Sequence, residues 1–262
     1  MKQELFERWH NRLGRNQSLV KMLVKLRNQC NMIIGSSFSR SPRIDQNGEA
    51  LIVRHLARCC SSFIDVGANK GEWSDVALAA GFLRGYVVEP NPIAHSWLKE
   101  RYKDRREIIV APWLLADAVY TTKYYYDSRF DVYAGMFQER ENMVEIVTTT
   151  LDDHVTDIDF LKIDAEGSEC AILRGAQKLL ASGAIRFIQF EYNSAWLAGG
   201  GTLTWALRIL QKSKYTTFLI RDNGLYSVAH EFYGEHHGYA NYLAVNEEHL
   251  AAVDALVVGH MP

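Results

Sequence analysis

The stretch FIDVGANKGEWS, residues 63–74, decides the fold. Its first four residues, Phe63 to Val66, are β-formers and apolar except for Asp65. A glycine loop follows at once, and a helical pattern opens at Glu72. Gly67 and Gly71 let the backbone turn sharply and let a ligand come close, because neither carries a Cβ. The N-terminus of the following helix offers unpaired N–H groups. A dinucleotide fold would place G-x-G-x-x-G here to hold a pyrophosphate, and that spacing is absent. Asp65 instead puts a carboxylate at the strand end. A carboxylate repels a pyrophosphate but receives an ammonium group, which favours a cofactor such as S-adenosylmethionine.

The pattern extends outward from this loop. The run YVV ends in Glu89, 22 residues past Gly67. An acid at that distance, at the end of a second strand, can accept hydrogen bonds from ribose hydroxyls. Asn91 and Pro92 then read as N-cap and first residue of a helix. Further strands are expected at 108–110, 160–163, 185–190, 216–220 and 242–245. Helices are expected at 72–80, 92–102, 168–182 and 202–213. This alternation specifies βαβ units and a mostly parallel, doubly wound α/β sheet of Rossmann-like type. The segment 119–150 breaks it with two β-rich runs, 119–126 and 144–150, read as an antiparallel insertion beside the active-site end of the sheet.

A second pair of acids has the same placement. The strand DFLKI runs into Asp164, and FIQF runs into Glu191. Strands joined by one helix usually lie side by side, so both carboxylates are expected at the C-terminal edge of the sheet, where open α/β sheets bind ligands. Two roles stay open for them. They can hold a divalent cation through their oxygens, or one can act as proton acceptor, its pKa raised by the other. Only two acids are certain, with His237 the best third candidate, and this tilts the reading to the metal-free role.

The chain has 262 residues, 48% of them hydrophobic and 23% charged, as in an ordinary globular protein with a full core. No apolar run is long enough to span a bilayer. The opening MKQELFERWH has no continuous apolar segment of the secretory kind. Cys30, Cys59, Cys60 and Cys170 show no paired spacing and read as reduced thiols, so a cytoplasmic location is expected. Residues 1–43 hold nine Lys or Arg and two Glu, a balance of +7; with −2 overall, the remainder carries −9. An acidic body argues against a nucleic-acid substrate. Leu19, Val20, Leu23, Leu26, Cys30 and Ile33 recur at helical spacing. Residues 1–50 are therefore expected to form a helical appendage to a catalytic domain at 51–262. Gly14 and Asn16 interrupt it, Ser18 is expected to cap its second helix and Gly35 to end it. Residues 1–43 are candidates for contact with a membrane surface, an anionic partner or a second copy.

Taken together, FIDVGANKGEWS, VVEPNP, TLDD at 150–153, DFLKIDAEGSECAILRGA, FEY at 190–192 and ANYLAV at 240–245 resemble, in order, the motifs of the FkbM family of methyltransferases. The resemblance covers about residues 60–246. It implies a class I methyltransferase fold, S-adenosylmethionine as cofactor and O-methylation of a hydroxyl on a sugar, glycan or natural product. By position it implies cofactor contacts from Asp65, Gly67, Asn69, Gly71 and Glu89, with Asp117 near the adenine. Tyr125 in the insertion, with Tyr192 and Trp196 after the fifth strand, offers aromatic faces for an acceptor. His236 and His237 precede the last expected strand and can serve as base or ligand. A nicotinamide-dependent oxidoreductase and a catalytically silent binding module share the same sheet and are the competing readings.

Overall fold

The computed structural model describes residues 2–38, 41–127, 134–137 and 139–261. The chain forms two compact units, Met1–Ser37 and Phe38–Pro262. Residues 38–50 thus belong to the larger one.

The smaller unit consists of α1 (Lys2–Gly14) and α2 (Gln17–Phe38), the last residue of α2 being the first of the larger unit. Asn16, not Ser18, caps α2: its side-chain oxygen accepts the Leu19 N–H at 3.1 Å, the third amide of the helix. Gly35 does not end α2. The hydroxyls of Ser36 and Ser37 donate to the carbonyls of Ile33 and Ile34, and the last turn closes around them.

The larger unit runs α3 (Glu49–Leu56), β1 (Ser62–Val66), α4 (Glu72–Ala80), β2 (Arg84–Val88), α5 (Pro92–Arg101), β3 (Ile108–Ala111), β4 (Leu114–Leu115), β5 (Thr121–Tyr126), β6 (Asn142–Thr149), β7 (Ile158–Ile163), α6 (Glu169–Arg174), α7 (Gln177–Ser182), β8 (Ile185–Tyr192), α8 (Leu203–Lys212), β9 (Tyr215–Arg221), β10 (Gly224–Val228), α9 (His230–Tyr233), β11 (Ala240–Asn246) and β12 (Val257–Met261). The main sheet has the order β12-β10-β9-β11-β8-β7-β1-β2-β3. β3, β2, β1, β7 and β8 are parallel, and β11 lies antiparallel between β8 and β9. The chain winds outward from β1 to β3, then returns to β7 on the other side of β1. That reversal opens a crevice at the C-terminal ends of β1 and β7.

Side-chain alternation along the strands feeds two cores, one per face. Phe63, Phe160 and Phe187 pack with Ile52, Trp73 and Leu98 on the face covered by α3, α4 and α5. Ile64, Leu161 and Ile188 pack with Ile172, Leu180 and Leu210 on the face covered by α6, α7 and α8. The doubly wound sheet is thus as expected, and β5 and β6 pair antiparallel in the insertion.

The expected helix 168–182 is broken. Gly175 packs against the Ala116 carbonyl so closely that a Cβ would stand 2.0 Å from its oxygen. Asp152, from the TLDD motif, accepts the N–H groups of Lys178 and Leu179 and starts α7 afresh. β10 and β12 were not expected from the sequence. Their runs GLYSV and VVGHM are short and interrupted by small or polar residues.

Candidate active site

The loop after β1 is a backbone construction. Gly67 has φ 76°, and a Cβ there would sit 1.7 Å from the carbonyl oxygen of Asp164. Only glycine fits where the β1 and β7 loops touch. Gly71 caps α4 at φ 80°; a Cβ would meet the Tyr102 hydroxyl, which donates to the Gly71 carbonyl at 3.1 Å. Asn69 takes φ 48°, a conformation that asparagine tolerates better than most residues.

Asp65 does not face a ligand, contrary to expectation. It is fully buried beneath the loop. Its Oδ1 lies 3.2 Å from Lys162 Nζ, and its Oδ2 accepts the Ser74 hydroxyl at 2.7 Å. The cause is register: Asp65 pairs with Lys162 on the neighbouring strand, and both point to the same face. A buried carboxylate takes the partner beside it. Burial alone would strip the proton from Lys162. The charges of Asp65, then Asp164 and Glu49, more than offset this and push its pKa up.

Glu89 stands at the end of β2 as expected, buried at 5% exposure. Oε2 accepts the Asn69 N–H and Oε1 the Asn91 N–H, each at 2.8 Å. Its carboxylate therefore joins the loops after β1 and β2. Burial pushes its pKa up to about 7, against the pull of the two amides. Asn91 caps α5 through the N–H groups of Ile93 and Ala94.

These residues line a cleft of about 740 Å³. Gly67, Asn69 and Glu89 form one wall, and Trp113, Leu114 and Tyr124 an apolar one. Two expected residues are not in that wall. Asp117 is partly exposed and accepts Arg174 Nε at 3.1 Å, so its charge is spent on an ion pair outside the cleft. Tyr125 is also outside, because side chains alternate along β5. Tyr124 is the buried tyrosine that lines the cleft, while the backbone of Tyr125 bonds to Gly135. Trp113, stacked on His154 at 3.7 Å between ring centres, was missed. Its signal was the apolar run PWLL directly after β3.

A second cleft, of about 1330 Å³, meets the first at Gly67, Asn69, Asp164 and Glu166. Asp164 and Glu191 both line it. They follow the paired residues Ile163 and Phe190, so their strands are neighbours as expected. Burial, then the charges of Asp164 and Glu166, drive the pKa of Glu191 well above the carboxylate range, although Asn193 Nδ2 donates to it. Lys162 Nζ lies 3.3 Å from Asp164. Glu49 of α3 closes the floor, bonded by Asn47, Gln189 and Asn241, with its pKa raised by burial. Glu49 and Tyr239 were not foreseen; they come from distant segments, with no common spacing to betray them, whereas Glu166 sits two residues past Asp164 in the same acidic turn.

Tyr192, Trp196 and His237 stand elsewhere. Tyr192 alternates with Glu191 and points into the opposite core, fully buried. Its hydroxyl donates to Glu235 at 3.0 Å, accepts the His237 N–H and lies 3.2 Å from His237 Nδ1. Trp196 is buried and donates its Nε1–H to the Glu191 carbonyl at 2.9 Å. Neither offers a face to an acceptor. His237 sits against the Tyr192 hydroxyl and is not among the residues that line the cleft with Asp164 and Glu191. His236 is stacked on Phe38 at 3.9 Å, and its pKa falls to about 4, chiefly through burial. Among the described residues, no group of three or more His, Cys, Asp or Glu is placed to hold a metal ion. The Lys162 ammonium lies between Asp65 and Asp164, within 3.2 and 3.3 Å of their carboxylates.

The family profile described as the methyltransferase FkbM domain matches residues 65–215. Comparison with curated protein sequences gives no match. Among solved structures, methyltransferase FkbM from Methylobacillus flagellatus KT aligns with a TM-score of 0.47 and 19% identity, over 70% of this chain and 43% of that one. The chain thus spans less than half the length of that relative. Precorrin-6y C5,15-methyltransferase from Geobacter metallireducens GS-15 aligns at 0.42 and 12% identity, over 75% and 87% of the two chains. An O-methyltransferase family protein from Burkholderia thailandensis aligns at 0.42 and 8% identity, over 76% and 55%.

Proposed function

The chain belongs to the methyltransferase FkbM domain family, and from that premise we propose that it moves the methyl group of S-adenosylmethionine to a hydroxyl oxygen of a sugar, glycan or natural-product acceptor. Family membership sets aside the nicotinamide reading, as the missing G-x-G-x-x-G also does. The observation that carries the proposal is the meeting of two clefts along one wall, Gly67, Asn69, Asp164 and Glu166.

The first cleft fits the cofactor. Glu89 has free lone pairs for ribose hydroxyls, the Gly67 loop admits close approach, and Trp113 with Leu114 gives the adenine an apolar wall. When bound, S-adenosylmethionine supplies an electrophilic methyl on a sulfonium leaving group. The protein then has three tasks: to hold the acceptor oxygen in line, to exclude water and to receive a proton. Glu191 is assigned the last. Its carboxyl faces the second cleft, and its raised proton affinity suits it to take up the hydroxyl proton as the oxygen attacks. Asp164 beside it, held by Lys162, orients the acceptor and keeps that affinity high. The free cysteines Cys30, Cys59, Cys60 and Cys170 support a reducing compartment, the cytoplasm.

The test incubates the full chain with S-adenosylmethionine carrying a labelled methyl and a panel of hydroxyl acceptors. Fragment masses that place the label on a former hydroxyl are the expected result. Label on nitrogen or carbon only would replace the O-methylation reading. Failure to bind the cofactor at all would favour a silent module of the same fold.

A further inference from the structure

We propose that residues 2–37 form an amphipathic helical segment that lies on an anionic membrane surface. On α2, Leu19, Met22, Leu23, Leu26, Cys30 and Ile33 fall within one continuous arc of the helix. That arc is not packed away: Met22 is 58% exposed, Leu26 55% and Ile33 71%. On α1, Phe6 and Trp9 are exposed as well. A solvated helix normally turns polar residues outward, so a stripe of this length calls for a partner.

Charge selects the partner. The 22 residues of α2 contain Lys21, Lys25 and Arg27 and no acidic residue. Two copies of α2 laid together would bring like charges face to face, whereas paired helices use opposite charges beside the apolar seam. An anionic lipid surface satisfies both features: its interior accepts the stripe, and its headgroups attract the flanking cations. Trp9 is the kind of aromatic residue that settles at the headgroup level. Among the described residues, no helix is long and apolar enough to cross the bilayer. The segment therefore lies on the membrane rather than in it, with basic residues as the second signal that a short apolar face needs.

The experiment is flotation of the full chain with phosphatidylcholine vesicles, with and without phosphatidylglycerol, at low and high salt. Binding to the anionic vesicles that weakens with salt is expected. Lys21→Gln, Lys25→Gln and Arg27→Gln together should lower partitioning on the order of 100-fold. Leu26→Glu with Ile33→Glu should abolish it. Cofactor affinity of both variants, measured in parallel, reports that the larger unit is intact. No flotation with anionic vesicles overturns the proposal, and so does equal binding to neutral ones. A dimer by light scattering that Leu26→Glu with Ile33→Glu dissolves, without vesicle binding by the parent chain, assigns the stripe to a second copy instead.

Discussion

The two clefts share a wall but are made differently. The cleft assigned to the cofactor is largely backbone work: a loop turned by Gly67 at positive φ, and a carboxylate, Glu89, that clasps the amides of Asn69 and Asn91. The acceptor-side cleft is made from side chains that arrive from far apart. Asp164 and Glu191 come from neighbouring strands, Glu49 from α3 and Tyr239 from the segment before β11. Beneath them runs a buried polar row, Asp65, Lys162 and Gln189, in register across β1, β7 and β8. The difference teaches that the first cleft is set by a local loop and one buried carboxylate tied to it, which spacing along the chain provides. The second gathers several carboxylates that only tertiary packing brings together.

The largest effect is expected from Glu191→Gln. On the proposed assignment it removes the proton acceptor and leaves the cleft around Glu89 untouched, so turnover should fall about 10²–10⁴-fold with cofactor affinity unchanged by calorimetry. In the parent enzyme, kcat should rise with pH well into the alkaline range. A base acts only when ionised, and burial holds Glu191 protonated beyond neutrality. Equal losses in affinity and turnover would erase the division between the clefts.

Gly67→Ala attacks the shared wall. The new Cβ collides with the Asp164 carbonyl at a backbone angle that favours glycine, so about 3 kcal/mol of stability should be lost. Both affinity and turnover should suffer. Chemical denaturation checks the first and calorimetry with kinetics the second.

Tyr192→Phe sharpens the contrast with its neighbour Glu191. The substitution removes one buried hydroxyl and leaves Glu235 and His237 short of a partner. A loss of about 1–2 kcal/mol in stability with unchanged kcat is expected. A large fall in kcat would return Tyr192 to the acceptor site. Smallest of all, Asp117→Asn breaks a partly exposed pair with Arg174. It should cost no more than about 1 kcal/mol in stability and leave cofactor affinity unaltered.

Much of this was legible in the sequence, and for definite reasons. Gly67 and Glu89 were readable because a glycine turn and an acid at a strand end act locally, through spacing along the chain. Asp164 and Glu191 were readable because each ends a buried strand, and one intervening crossover makes those strands neighbours. The failures on the strands share a cause. Asp65 looked like a ligand residue because its face of the strand was unknown, and Lys162 lies 97 residues away. Tyr125 was chosen over Tyr124, and Tyr192 was counted with Glu191, because a one-residue step flips a strand side chain to the other face. Asp117 was placed by resemblance alone, and Arg174 had the stronger claim on it.

The central claim is that Glu89, as a carboxylate, holds the cofactor. It is tested most directly by calorimetric titration of S-adenosylmethionine across pH, into the parent chain and into Glu89→Ala. Below its pKa of about 7 the carboxyl carries a proton and accepts ribose hydroxyls poorly. Affinity of the parent should therefore rise with pH through neutrality and level off above it. The variant should bind about 1–3 kcal/mol more weakly at the plateau and lose that pH dependence. Equal affinity of the two chains, with the same pH profile, would contradict the account.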